Sequence, residues 1–184
     1  ATTSNIYTAK KWLENKAKKD DVVYFYFSGH GDVDSSVFQL GFLLAYDSPH
    51  KNYLNNAVRI QDFNIMANTL SINKGANVIL ITDACRAGKL AGSDNLARST
   101  FFSDIQQKIS DKEVRMASCT QDQNSQEDEV WGGGRGLFSF YLEKGLKGLA
   151  DFDDDGIVTL LELKLYLISN VPKEINKHYK EPQT

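Results

Sequence analysis

Two apolar runs, Val22 to Phe27 (VVYFYF) and Val78 to Ile81, constrain this chain most, because neither carries any polar alternation. A strand with one wet face alternates apolar and polar residues. A continuous run of β-branched and aromatic residues reads instead as a strand covered on both faces, hence central in a parallel sheet. On that reading Tyr24, Phe25 and Tyr26 belong to the core. The first run ends at Ser28-Gly29-His30-Gly31 and the second, counted from Asn77 to Thr82, at Asp83-Ala84-Cys85-Arg86. Helical spacing fills the intervals: Ser4, as a cap, to Lys16 with Ile6, Ala9, Trp12 and Leu13 on one face, then Ile60–Leu70, Phe102–Ile109, Leu137–Leu146 and Leu160 to about Ile168. Phe38–Tyr46 reads as strand or hairpin, Glu113–Ala117 as a third strand, and Thr120–Glu129 as a polar loop. Strands alternating with helices predict an α/β fold with a mainly parallel sheet, and 184 residues suit one domain, 1–184.

Charge and cysteine usage narrow the function. A net charge of −3 gives no reason to expect nucleic acid or an anionic membrane as partner. No apolar run approaches the roughly 20 residues of a membrane span, and no signal-like region opens the chain, so a cytoplasmic location is expected. Cys85 and Cys119 are too few for a disulfide scaffold and leave a thiol available for chemistry.

In a parallel α/β sheet the ligand site lies beyond the carboxyl ends of the strands, where both His30 and Cys85 fall. A free thiol is only a few per cent ionised at neutral pH, so a nucleophilic cysteine needs a base beside it, and an imidazole can take that proton and later return it to a leaving amine. Glycine at 29 and 31 lets backbone N–H groups approach a reacting carbonyl, which makes the amides of Gly31 and Cys85 the expected oxyanion donors. Nothing near Cys119 activates it, and His50 and His178 read as surface residues.

The segments Tyr26-Phe27-Ser28-Gly29-His30-Gly31 and Asp83-Ala84-Cys85-Arg86-Ala87-Gly88 resemble the histidine and cysteine motifs of caspases, metacaspases and their bacterial relatives. The order and the 55-residue separation match as well. The resemblance, over about 25 to 170, implies a caspase-like α/β/α sandwich and peptide-bond hydrolysis through a thioester, with no cofactor in the chemical step. Asp83 stands where metacaspases carry an acidic pocket residue. The stretch from Ser118 to Glu127 resembles the metacaspase loop after the next strand, so Asp83, Glu127 and Ser118 are the implied substrate-binding residues. A carboxylate there complements a guanidinium through paired charge-assisted hydrogen bonds, which predicts cleavage after Arg or Lys of protein or peptide substrates. Arg98, Arg115 and Arg135 are candidate sites of self-processing.

Residues 151–162 (DFDDDGIVTLLE) contribute −5 to the total charge, so the rest of the chain sums to +2. The segment reproduces the twelve-residue calcium loop of an EF-hand. Carboxylates occupy positions 1, 3 and 5 (Asp151, Asp153, Asp155), Gly156 makes the turn, the Ile157 carbonyl stands at 7, Thr159 at 9, and Glu162 at 12. Calcium is therefore an expected ligand.

A chain opening on a helix is unusual for a doubly wound domain. The expectation is that an N-terminal strand is missing, that an upstream fragment or partner chain completes the fold, and that the first strand is otherwise left as a sheet edge. The competing reading is a catalytically silent caspase-like scaffold or calcium-responsive interaction domain.

Overall fold

A computed structural model describes residues 1–34, 40–84, 111–118 and 126–178, and in it the two apolar runs lie side by side. The elements are α1 (Thr3–Lys16), β1 (Val22–Asp34), β2 (Leu40–Leu44), α2 (Tyr53–Asn56), β3 (Val58–Arg59), α3 (Ile60–Asn68), β4 (Asn77–Ala84), β5 (Glu113–Ala117), β6 (Glu127–Asp128), β7 (Arg135–Gly136), α4 (Leu137–Lys144) and α5 (Leu160–His178). Single π-helical turns, Thr69–Asn73 and Gly145–Leu149, prolong α3 and α4. Five strands form one sheet in the order β3-β2-β1-β4-β5. β1, β4 and β5 run parallel, while β2 and β3 join antiparallel.

Apolar side chains on the two faces of this sheet fill two cores. Val23, Val78 and Leu80 pack with Met66, Ala67 and Leu70 beneath α1 and α3. Ile81 packs on the opposite side with Leu137, Leu142, Leu163 and Ile175 of α4 and α5. Helices on both faces of a mostly parallel sheet make an α/β/α sandwich, as the alternation of runs predicts.

Several local expectations are corrected. The first run is covered on one face only: Val23 is buried, but Tyr24 is 65% and Tyr26 51% exposed, so neither tyrosine belongs to the core. Alternate residues of a strand face opposite ways. The helices of the second face pack over Ile79, Ile81 and Met116 and leave the β1 half of that face open. Tyrosine tolerates this position because its phenol can stay wet. Nor does β1 end at the glycines. It continues to Asp34, parallel to β4 as far as Gly29 and antiparallel to β2 from His30 onward, because the second partner satisfies the backbone of an otherwise polar segment. Among the described residues, Val22–Gly29 pairs with β4 alone, and its other backbone edge is open.

At the start of α1 the cap is Thr2, which accepts from the Asn5 N–H at 3.2 Å, rather than Ser4, and both Ala9 and Trp12 face solvent. β4 extends through Asp83 and Ala84, beyond Thr82. α5 passes through Pro172 to His178, because buried Val171 and Ile175 anchor the segment past the point where the proline would stop it. The expected helix Phe102–Ile109 lies outside the described residues. No helix among the described residues is long and apolar enough to cross a membrane.

Candidate active site

The register of β1 and β4 sets the geometry where their parallel ladder ends. Tyr26 lies opposite Ile81, Ser28 opposite Asp83, and Gly29 opposite Ala84. Strand alternation then puts His30 on the same face as Tyr26 and Ser28, and its side chain is exposed. Gly31 lies opposite Leu43 in the antiparallel ladder. Cys85 follows Ala84 directly in sequence, but Cys85 and Cys119 lie outside the described residues.

Asp83 is only 2% exposed. Its carboxylate accepts from the Ser139 N–H at 3.2 Å and from the Ser139 hydroxyl. Ser139 is the third residue of α4, whose N-cap, Gly136, has no side chain to offer the free amides of the first turn. The strand therefore caps the helix: Asp83 supplies the acceptor, and its negative charge sits at the positive end of α4. The Tyr26 hydroxyl lies 2.7 Å from Ser139 Oγ and links the exposed face of β1 to the same point. A Cβ at Gly136 would fall on Asp83 Oδ2.

Ser118, also buried, ties the ends of two strands together. Its N–H donates to the Thr82 carbonyl at 2.9 Å, and its Oγ accepts from the Ala84 N–H at 3.2 Å. Glu127 is exposed, at the bridge of β6 with β7, opposite Gly136.

Beside this junction a cleft of ≈ 650 Å³ opens between β1 and α4, with Tyr26, Ser28 and Ile81 on one side and Leu142, Glu143 and Leu146 on the other. Glu127, Arg135 and Lys147 also line it. Arg135 bonds Glu143 Oε2, and Lys147 bonds Oε1 at 2.5 Å. The hydrogen bond from Lys147, with the Arg135 charge nearby, holds the Glu143 carboxyl below the usual carboxylate range. Sequence reasoning missed Ser139, Glu143 and Ser28. One signal was present: an apolar helix opening on Gly136, with no capping side chain, needs its acceptor from elsewhere in the fold.

The acidic loop, residues 151–162, precedes and opens α5. Asp154 and Gly156 take left-handed φ values of 56° and 83°. One carboxylate oxygen from each of Asp151, Asp153 and Asp155 lies within 4.8 Å of the others. Glu162 is turned to the loop backbone and accepts from the N–H groups of Phe152 at 3.0 Å and Thr159 at 2.8 Å. Those bonds, led by the Thr159 hydroxyl, hold its carboxyl below the usual range.

A family model described as the caspase domain matches residues 1–164. The chain belongs to the caspase-domain family, and that membership supports a cysteine-peptidase-like function. Among solved structures, it is similar to protein GSU0716 from Geobacter sulfurreducens at 17% identity, with 92% of this chain and 69% of that chain covered and a TM-score of 0.58. At that identity the likeness speaks for the fold alone. No curated protein matches the chain.

Proposed function

We propose that the chain is a cysteine endopeptidase that cuts after Arg or Lys, with Cys85 as nucleophile and His30 as general base. The observation that carries this reading is an exposed His30 in β1, one residue beyond Gly29–Ala84, the last pair of the parallel β1–β4 ladder, in a caspase-domain chain whose Cys85 follows Ala84. In the proposed reaction the His30 imidazole takes the thiol proton and the thiolate attacks the scissile carbonyl carbon. The amides of Gly31 and Cys85 receive the developing oxyanion. Collapse of the tetrahedral adduct breaks the C–N bond, and the imidazolium gives its proton to the leaving amine. Water then hydrolyses the thioester and restores the thiol.

Carboxylates at and beside the cleft, Asp83, Glu127 and Glu143, favour a basic side chain before the scissile bond. A panel of fluorogenic peptides differing only in that residue tests this: Arg and Lys peptides are expected to be cut about 10²-fold faster than the Asp peptide, the size of a well-desolvated charge-pair preference. Preference for Asp, or no hydrolysis of any peptide, would overturn the reading, and the second result would favour a silent scaffold. The guanidinium of Arg115 is held by Glu113 and by Asn64 at 2.5 Å within β5, so self-processing falls to Arg98 or Arg135.

An additional polypeptide segment, upstream in the same protein or from a partner, is proposed to pair with the open edge of Val22–Gly29 and cover Tyr24.

The acidic loop is proposed to bind Ca²⁺ through Asp151, Asp153 and Asp155, with the Ile157 carbonyl, Thr159 and a reoriented Glu162 completing the oxygen set. Calcium at a hundred times its dissociation constant adds about 2.7 kcal/mol to a folded state that alone binds it, which for a chain of this length is an unfolding midpoint higher by about 5–10 °C. Differential scanning fluorimetry checks this. Asp153→Asn should abolish the shift, and a midpoint unmoved by millimolar Ca²⁺ would remove the site.

A further inference from the structure

The two basic residues of the cleft wall converge on one carboxylate. Arg135 holds Glu143 Oε2 and Lys147 holds Oε1, so Glu143 offsets the positive charge of the wall, and Glu127 also lines the cleft. Beside Arg135 and Lys147, the cleft is lined by the apolar bodies of Tyr26, Ile81, Leu142 and Leu146 and by the carboxylates of Glu127 and Glu143. A long basic side chain has matching chemistry: an aliphatic stem that prefers apolar walls and a cationic head that prefers a carboxylate. The other candidate acid, Asp83, is buried and already serves Ser139 and the amino end of α4.

Arg135 therefore sits on its carboxylate as a substrate arginine would. Its stem folds back over Gly132, where a Cβ would meet Arg135 Cδ at 3.3 Å, and the loop that carries it has three successive glycines with left-handed φ, Gly132, Gly133 and Gly134. Both partners of the pair are partly exposed, at 51% for Arg135 and 38% for Glu143. Exposed pairs of this kind are weak and exchangeable. An entering guanidinium can thus take over Glu143 Oε2 while Lys147 stays on Oε1.

We propose that Glu143 is the carboxylate that selects a basic substrate side chain in this cleft, and that Arg135 is an internal competitor that occupies it until substrate arrives. The proposal rests on the reading of the chain as a peptidase cutting after Arg or Lys, and it names the specificity residue and the built-in restraint of that same site.

The test compares wild type, Arg135→Gln, Glu143→Gln and the double variant on a fluorogenic peptide ending in Arg. Removal of an exposed competing pair is expected to lower KM about two- to fivefold with kcat unchanged. Glu143→Gln should raise KM at least about tenfold, the loss expected for a charged hydrogen-bond partner. In the double variant the Arg135→Gln gain should vanish. A parallel arm measures N-acetyl-arginine amide binding by NMR titration in Cys85→Ala protein, where no chemistry is needed. There Arg135→Gln should tighten binding and Glu143→Gln should weaken it. If wild type cuts Arg peptides but neither variant alters KM or amide binding, the competitor is refuted and the peptidase reading stands. If no peptide is cut yet Arg135→Gln still tightens the amide, the peptidase reading falls and the acidic cleft survives. Circular dichroism of each variant separates a lost fold from a lost interaction.

Discussion

Cys85→Ala will lower hydrolysis of an arginyl peptide by at least about 10³-fold, while its thermal midpoint stays within about 2 °C of wild type. The first number follows from the role proposed for the sulfur, since loss of a nucleophile removes the covalent route and leaves only binding and oxyanion stabilisation. The second follows from the exchange itself, in which a small side chain replaces another of similar size. His30→Ala should cost a similar factor, because an unassisted thiol is mostly protonated at neutral pH. The combined variant should be little worse than either alone, as residues that act as a unit do not add. Burst kinetics with an activated arginyl ester, together with mass spectrometry of the acyl adduct, check the assignment. Retained hydrolysis in Cys85→Ala would transfer the activity to another group and end the case for a Cys–His pair.

Gly136→Ala will destabilise the fold by about 2–4 kcal/mol. A methyl group there lands on the buried Asp83 carboxylate, so either the strand end or the start of α4 must move, at the usual overpacking cost. That movement also weakens the bonds to Ser139 and returns an unsatisfied amide to the first turn of α4, at about 1 kcal/mol. Gly133→Ala provides the comparison. Its φ of 84° also disfavours a side chain, but a Cβ there meets nothing within 4 Å, so only the backbone term of about 1 kcal/mol applies. Urea unfolding of the two variants separates collision from conformation, and equal losses would show that Asp83 does not need the space. Asp83→Asn should retain part of the cap through its amide oxygen but lose the charge at the helix end. It should therefore fall between wild type and Gly136→Ala in stability.

The placement of Asp83 bears on the specificity proposed above. The resemblance to metacaspases implies that Asp83 belongs to a substrate pocket, and the same carboxylate in three dimensions caps α4, a helix that begins 54 residues later. These two roles are compatible in kind, because a carboxylate held by Ser139 and linked through it to the Tyr26 hydroxyl can orient the floor of a cleft whose accessible acids are Glu127 and Glu143. The acids that line the cleft are carried by β6 and α4.

What the order of residues determined by itself was the layering and the chemistry on offer. Unalternated runs at 22–27 and 77–82 required a central parallel pair, helical spacing between them required covering layers, and the sequence positions of His30 and Cys85 followed from where those runs stop. The third strand, Glu113–Ala117, was legible to the residue because a short β-rich segment between polar ends has little latitude. What only the tertiary structure decided was which face each strand covers and who partners the polar groups. Tyr24 and Tyr26 look like core residues until the helices are seen to lie over β4 and β5, and nothing in a linear pattern pairs Asp83 with Ser139 or Arg135 with Glu143. Local periodicity is written by backbone geometry within a few residues, whereas burial and ion pairing depend on segments that meet only after the chain has folded.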